Sequence, residues 1–219
     1  FDQPDALRQT LQERVADGRV LDIAFGIGAG EMFAKVKAVR IVACGSSYYT
    51  GLVAQYWFEQ IAGLPCSVEI ASELRYRKVA VLQDTLLVTI SQSGETADTL
   101  AALRNATDSR YLASLCLCNI PNSSLVRESD FCLMIQAGIE ICVASTKAFT
   151  NQLAGLLLLV VTLGRHNGLS EDEQQEIVAA LSATPDLLEQ VLKLDNQIEI
   201  IAERFVEKRN ALFLGRGTN

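Results

Sequence analysis

The sequence predicts an α/β fold in which a parallel sheet is covered by helices on both faces. Short apolar runs of strand length alternate along the chain with amphipathic stretches of helical periodicity. Several apolar runs end in glycine or in a cluster of hydroxyl residues. Alternation of this kind is typical of βαβ units, whose crossover helices cover both faces of a parallel sheet.

The predicted strands are the apolar runs that turn residues interrupt. The clearest is at 84–90, followed by small hydroxyl residues, and the run at 40–45 ends in Gly45. Such runs suit strands that are buried on both faces. Five strands are predicted, at 40–45, 66–70, 84–90, 111–119 and 131–135.

The predicted helices are recognised by apolar positions three and four residues apart and by their end signals. Pro4 lies near the first turn of the first helix, and Gly63 and Pro65 stop the second. The last two helices are more polar than the others. The predicted helices are at 3–16, 48–62, 96–106, 146–163, 171–181 and 184–208.

Composition indicates a globular protein with one large core. The chain has 219 residues, of which 49% are hydrophobic, and its net charge of −7 disfavours nonspecific binding to nucleic acid. An anionic ligand must therefore be held by local geometry. The longest apolar run, at 153–163, is much shorter than the roughly 20 residues of a membrane span, so we expect a soluble, cytoplasmic protein without membrane contact.

The cysteines and the single histidine do not form a recognisable metal site. No pair of cysteines has the spacing of a zinc finger, and His166 lies among turn residues. We interpret most of the cysteines as buried, reduced thiols and expect neither a metal ion nor an organic cofactor. The six cysteines are Cys44, Cys66, Cys116, Cys118, Cys132 and Cys142.

Three of the strand exits are rich in small polar residues. In an open parallel sheet, ligands bind outside the carboxyl ends of the strands, where loops lead into helices. These exits are therefore the candidate ligand site. They are the segments 45–47, 91–96 and 143–146.

The second exit, SQSGET, has the chemistry of a phosphate-binding loop without a cation. Free N–H groups at the start of the following helix attract an anion, and Gly94 permits a tight turn. The side chains of Ser91, Gln92, Ser93 and Thr96 can all donate hydrogen bonds to phosphate oxygens. The loop therefore predicts a bound phosphate monoester.

An alternative is that Ser93 merely caps the helix and that Ser91 is an ordinary loop residue. The recurrence of similar exits favours a polyol phosphate, with the other two loops at the sugar hydroxyls. The glycine and lysine patterns of nucleotide-binding loops are absent from the chain, so nucleotide binding is not expected.

Catalytic residues are not evident in the sequence. Glu95 opens a helix, where capping is the simpler role. Glu140 precedes the third exit, where contact with the ligand, support of the loop and an interface role all remain open. Lys147 starts a helix and fits a surface role, and Cys44 fits a buried structural thiol. We therefore assign no catalytic residue to this chain.

Five segments in order resemble the isomerase region of the glucosamine-6-phosphate synthase family, the isomerising glutamine:fructose-6-phosphate aminotransferases. This region consists of two sugar isomerase (SIS) domains, and the resemblance covers the first of them over nearly the whole chain. The segments are ACGSSY (43–48), VEIASELRYR (68–77), SQSGETADTL (91–100), SSLVRESD (123–130) and VASTKAFT (143–150).

The resemblance implies a three-layer αβα, flavodoxin-like SIS domain with a five-stranded parallel sheet. It places Ser91, Gln92, Ser93 and Thr96 at the phosphate of fructose 6-phosphate or glucosamine 6-phosphate. The residues that it places at the sugar are Ser46, Ser47, Val143 and Ser145. The family often has Thr at the position of Ser46, a change that keeps the hydroxyl group.

The resemblance also implies an organisation in which this chain is one part of a dimeric enzyme. We expect the first SIS domain at 1–208 and the first strand of a second SIS domain at 209–219. The family's glutaminase domain and its catalytic lysines, glutamate and histidine have no counterpart in this chain, so we expect binding without turnover. The alternatives are a standalone SIS sensor of sugar phosphates and a purely structural dimerisation domain.

Overall fold

The computed structural model of the protein describes residues 1–106, 111–141 and 145–215. The helices in these residues are α1 Gln3–Leu11, α2 Ala29–Phe33, α3 Gly45–Gln60, α4 Ala71–Leu74, α5 Ala97–Ala106, α6 Ser124–Glu128, α7 Lys147–Arg165, α8 Glu171–Leu192 and α9 Asp195–Glu203. The strands are β1 Val15–Ala16, β2 Arg19–Val20, β3 Ala38–Ala43, β4 Cys66–Ile70, β5 Thr85–Ser91, β6 Ala113–Cys118 and β7 Phe131–Met134.

Strands β3 to β7 form one parallel sheet in the order β4-β3-β5-β6-β7. The chain therefore begins this sheet near its middle, adds β4 on one side and then builds outward on the other. This is the order of flavodoxin-like folds. The predicted α/β class and the five parallel strands are confirmed.

Helices pack on both faces of the sheet, which gives the expected three layers. Neighbouring residues of a strand point to opposite faces, so Ile41 lies in one core and Val42 in the other. The larger core joins the sheet to α3 and α7, where Phe58 and Leu159 are fully buried. The smaller core joins it to α4, α5 and α6.

The first helix is shorter than predicted because the chain turns into a small hairpin. Helix α1 ends at Leu11, and β1 and β2 pair antiparallel beyond it, with Val15 opposite Val20. Asp17 and Gly18 form the connection with φ values of 51° and 72°. An Asp-Gly pair is a strong hairpin signal, and the helical interpretation of 3–16 overlooked it.

Helix α8 contradicts the prediction of two separate helices at 171–181 and 184–208. It runs without interruption through Pro185 to Leu192, and α9 follows from Asp195. Pro185 is buried, and the next residue, Asp186, lies 2.7 Å from the Arg8 guanidinium of α1. These tertiary contacts stabilise a helix that proline alone disfavours.

Residues 210–215 belong to neither a helix nor a strand, and 216–219 lie outside the described residues. A strand needs a neighbour with which to pair, and no described residue pairs with this segment. The assignment of 209–219 to a second domain therefore stays a prediction.

Helix α7 is long and apolar enough to cross a membrane by length and composition. However, 72% of its most apolar stretch is buried inside the protein, against α1, α3 and α8 among other elements. Burial of this kind is typical of the central helix of a soluble domain.

Replacing Leu117 with Ala tests the larger core. Leu117 is fully buried on β6, so we expect the free energy of unfolding to fall by about 2–5 kcal/mol in urea denaturation. The control is Leu187→Ala on α8, where the side chain is 55% exposed. A loss at Leu187 as large as that at Leu117 would contradict this description of the core.

Candidate functional site

The candidate site lies where the strand order of the sheet reverses. Strands β3 and β5 are neighbours, with Ala43 opposite Ile90, but their chains leave toward helices on opposite faces. The crevice at such a switch point is the usual ligand site of open parallel sheets. Two of the predicted exits, 45–47 and 91–96, meet at this edge.

The loop after β5 is ordered by its own hydroxyl groups. The Ser91 hydroxyl accepts a hydrogen bond from the Gly94 N–H at 3.0 Å and lies 2.9 Å from the Thr96 hydroxyl. The Ser93 hydroxyl accepts from the Glu95 N–H at 3.2 Å. Ser91 is buried, whereas Gln92, Ser93 and Thr96 are half-buried. The loop is thus folded back on Ser91 and open at the other three residues.

The structure contradicts the alternative in which Ser93 caps the helix. The Leu100 N–H donates to the carbonyl of Thr96, so Thr96 occupies the cap position of α5. The Ser93 hydroxyl instead closes a short turn within the loop.

Gly94 is packed so closely that no other residue fits. Its φ is +67°, and an added Cβ would lie 2.7 Å from the Cys118 sulfur and closer still to the Ser123 hydroxyl. The carbonyl of Gly94 also accepts from the Leu125 N–H at 3.0 Å. One side of the loop is therefore fixed against the start of α6.

Glu95 completes this attachment. Its carboxylate accepts a hydrogen bond from the Ser124 N–H at 2.7 Å, at the start of α6. Hydrogen bonds from Ser124, with a smaller contribution from the charge of Arg127, hold the pKa of the Glu95 carboxyl below its usual value. The capping role expected of Glu95 is present, but it serves α6 and not the helix that Glu95 precedes.

The exit after β3 leads directly into α3. Gly45 starts the helix with φ +59°, Ser46 is exposed, and Ser47 is buried on the first turn. The first turn of α3 contains no acidic residue, and Cys44 makes no side-chain capping hydrogen bond. The start of α3 thus adds exposed backbone and one accessible hydroxyl to the crevice.

The third exit is only partly within the described residues, since 142–144, including Val143, lie outside them. Ser145 is half-buried before α7. The Glu140 carboxylate accepts from the Ala148 N–H at 2.9 Å, so it supports the start of α7. The Lys147 ammonium lies 3.2 Å from the Asp2 carboxylate. This ion pair fits the surface role expected of Lys147.

A cleft of about 490 Å³ opens beside the loop after β5. Gln92 belongs to both the cleft and the loop. Glu140 was already a candidate from the sequence, whereas Asn119 and Gln136 were missed, although they lie one and two residues after β6 and β7 and the strand-exit rule could have found them. Gln9 comes from α1 and only the tertiary structure brings it there. The cleft is lined by Gln9, Gln92, Asn119, Ile120, Gln136, Gly138, Ile139 and Glu140.

The cysteines that the structure describes are free thiols, and each is buried or half-buried. Burial raises the pKa of the Cys66 thiol to about 12 and raises that of Cys118, which suits inert side chains. Within residues 1–106, 111–141 and 145–215, no group of His, Cys, Asp and Glu side chains is arranged to hold a metal ion. Cys142 lies outside this part of the chain.

Fold and site together define the class: a three-layer αβα domain with a hydroxyl-lined loop at the switch point of a parallel sheet. Residues 32–162 match the family model of the SIS domain, more than half of the chain. The chain therefore belongs to the SIS domain family.

Relatives across 99% of the chain are named glutamine–fructose-6-phosphate aminotransferase [isomerizing]. The Shewanella oneidensis protein is 57% identical and the Escherichia coli K12 protein 54% identical, each over 217 residues. The chain spans 36% of the length of each.

A solved structure, the C-terminal domain of glucosamine-fructose-6-phosphate aminotransferase from Francisella tularensis, superposes with a TM-score of 0.95 at 47% identity. The match covers 99% of this chain and 61% of that one. The resemblance stated from the sequence is confirmed, and the chain corresponds to a fragment of these aminotransferases.

Replacing Gly94 with Ala tests the packing of the loop. We expect Gly28→Ala, at a glycine with φ +82° and open space around it, to cost only about 1–2 kcal/mol for the left-handed backbone. Gly94→Ala should cost clearly more, because Ser123 and Cys118 must also move. Equal losses in urea denaturation would show that the loop is not clamped against α6.

The pKa of Glu95 gives a pH test. Because its pKa is lowered in the folded protein, ionised Glu95 stabilises the fold above its unfolded pKa of about 4.3, and this stabilisation is lost as pH falls through the folded pKa. Glu95→Gln keeps an acceptor for Ser124 but not the charge. The free energies of unfolding of wild type and Glu95→Gln should therefore differ at pH 7 and become equal in acid. The control is Glu203→Gln, on exposed α9, for which we expect no such pH-dependent difference from wild type.

Proposed function

We propose that this chain is the sugar-phosphate-binding part of the isomerase region of an isomerising glutamine–fructose-6-phosphate aminotransferase. Its ligands are fructose 6-phosphate and glucosamine 6-phosphate. One observation carries this proposal: the hydroxyl-lined loop from Ser91 to Thr96 leads into α5 at the switch point of the sheet. That geometry suits a phosphate monoester bound by neutral donors.

The loop has donors to spare for a phosphate. The Ser91 hydroxyl accepts from Gly94, so it is suited to donate its own hydrogen to Thr96. The Thr96 hydrogen is then free for a phosphate oxygen, as are the hydroxyl of Ser93 and the amide of Gln92. In this arrangement Ser91 orders the phosphate site, and the other three side chains donate to the ligand.

The helix starts around the crevice differ in whether a carboxylate of the protein already accepts hydrogen bonds from their N–H groups. The carboxylates of Glu95 and Glu140 are hydrogen-bonded to the starts of α6 and α7. Asp98, in the first turn of α5, is paired with Arg75 at 2.5 Å. The N–H groups at the start of α5 can therefore attract an external anion, since the acidic side chain of its first turn is paired with a cation.

The sugar lies, in this proposal, between the phosphate loop and the other two exits. Ser46, Ser47 and Ser145 supply hydroxyl groups there, although burial of Ser47 favours a role for its backbone and position. The placement of Val143 at the sugar rests on the resemblance alone.

The remaining assignments of this proposal rest on the family resemblance stated from the sequence. Residues 1–208 are the first SIS domain and 209–219 begin a second one, and the parent protein is a cytoplasmic homodimer that also contains a glutaminase domain. The reaction converts fructose 6-phosphate and glutamine to glucosamine 6-phosphate without metal, organic cofactor or nucleic acid. The chemical steps belong to residues of the second SIS domain, so this chain binds and does not turn over.

The standalone sensor is the weaker alternative. Relatives at 54–57% identity over 99% of the chain are named as aminotransferases, which favours an enzyme part over a sensing module. A purely structural domain leaves the donors of the 91–96 loop without a purpose.

Ligand binding should stabilise the chain against heat. Fructose 6-phosphate or glucosamine 6-phosphate at 100 times its Kd should add about 2.7 kcal/mol, seen as a higher melting temperature in a thermal-shift titration. Free fructose at the same concentration is the control. If neither ester changes the melting temperature at millimolar levels, the binding role is wrong.

The hydroxyl of Thr96 can be tested with two variants of similar size. Thr96→Val removes the hydroxyl and should weaken fructose 6-phosphate binding by about tenfold or more, since a charge-assisted hydrogen bond contributes about 1.5–3 kcal/mol. Thr96→Ser keeps the hydroxyl and should bind nearly as wild type does in calorimetry. Equal weakening in both variants would show that this hydroxyl does not bind the phosphate.

A further inference from the structure

Two cysteines lie side by side on neighbouring strands of the sheet. Cys116 on β6 and Cys132 on β7 are partners in the register of this parallel pair. We propose that these two thiols form a reversible disulfide when the protein meets a peroxide, with Cys132 as the thiol that reacts first. This modification goes beyond the proposed function and does not depend on a ligand in the phosphate loop.

The backbone places both side chains within reach of each other. Neighbouring strands lie about 4.8 Å apart, and a disulfide needs Cα atoms roughly 4.4–6.8 Å apart. Side chains in register point to the same face of a sheet: Cys116 belongs to the smaller core, and Cys132 packs against it. A hydrogen bond joins the two side chains. The thiols are therefore already neighbours in the reduced protein.

The two thiols differ in their access to solvent. Cys116 is fully buried, whereas Cys132 is half-buried on β7, a strand at the edge of the sheet. A small oxidant therefore meets Cys132 first. Cys116 is placed to act afterwards, as the thiol that closes the disulfide.

The surroundings of Cys132 favour its thiolate, which is the nucleophilic form of a cysteine. The hydrogen bond with the Cys116 thiol lowers the pKa of Cys132, burial opposes this effect, and the positive charge of Arg14 lowers the pKa further. The same hydrogen bond, together with burial, raises the pKa of Cys116. Arg14 is held in place by hydrogen bonds to the carbonyls of Thr10 and Met134. The more accessible thiol is thus also the more easily ionised one.

Three other cysteines that the structure describes have no such neighbour in register. Cys118 also lies on β6, but its partner on β7 is Met134. Cys66 on β4 is opposite Val39. Cys44 follows β3, and strand β5 separates β3 from β6. The register therefore singles out the pair Cys116 and Cys132.

The oxidation consumes one molecule of hydrogen peroxide. The Cys132 thiolate attacks a peroxide oxygen, the O–O bond breaks, and the departing hydroxide takes up the proton that Cys132 had lost. The Cys116 sulfur then attacks the Cys132 sulfur, so that the S–S bond forms, the S–O bond breaks, and water leaves with the Cys116 proton. Two thiols are oxidised and the peroxide is reduced to two waters. An added dithiol reverses the modification by thiol–disulfide exchange.

Treatment of the purified chain with a small molar excess of hydrogen peroxide tests the pairing. After denaturation and alkylation, two of the six thiols should be lost, and a peptide map should show Cys116 linked to Cys132 within one chain. Dithiothreitol should restore both thiols. If all thiols survive, if the lost thiols are not linked to each other, or if another cysteine such as Cys142 is linked, the proposal is wrong.

Three variants separate the roles of the two thiols. Cys116→Ser should form no disulfide, and dimedone should trap the sulfenic acid of its Cys132. Cys132→Ser should leave Cys116 unlabelled, because that thiol is fully buried. Cys66→Ser, at a buried cysteine on β4, is the control and should form the same disulfide as wild type.

The order of reaction is wrong if dimedone does not label Cys132 in the first variant or labels Cys116 in the second. The peptide map of wild type needs no substitution, so it decides the pairing even where a variant fails to fold.

Discussion

The close packing of Gly94 against the start of α6 is the constraint on which the candidate site depends. A left-handed glycine without a side chain lets the backbone lie against Ser123 and Cys118. The Gly94 carbonyl and the Glu95 carboxylate then take up two N–H groups of α6. With that side fixed, the hydroxyls of Ser93 and Thr96 are left on the open side of the loop. A loop held in this way requires little ordering when a ligand binds, which favours affinity.

The carboxylates around the carboxyl edge of the sheet occupy some of its helix starts and leave those of α3 and α5 open. Several helices start at this edge, and each start is a potential anion site. Glu95 and Glu140 fill those of α6 and α7 with the protein's own charge. The start of α5 keeps its donors because Asp98 is paired with Arg75. In the proposed function, a protein with an overall charge of −7 would bind a dianion in this way without a cationic pocket.

Much of the architecture could be read from local pattern, and the exceptions have identifiable causes. Strand β4 was predicted at its observed bounds, since Gly63 and Pro65 stop the preceding helix and mark the start of the strand. Helix α8 was divided wrongly because Pro185 disfavours a helix locally, whereas burial against the rest of the fold and the ion pair of Arg8 with Asp186 act over long range. The hairpin at Asp17 was missed because its strands contain only two residues each.

The sequence by itself determined the fold class, the family resemblance and the loop that holds the candidate phosphate donors, because strand exits and small polar residues are local features. Only the tertiary structure decided which of those residues are buried and which lie open at the crevice. Ser91 is buried and accepts a hydrogen bond within the loop, Glu95 caps a helix 29 residues further along the chain, and Glu140 caps the helix that follows it. Gln9 reached the cleft only because α1 packs beside the sheet edge. Partners distant in sequence leave no local pattern, so such roles become visible only when the chain is folded.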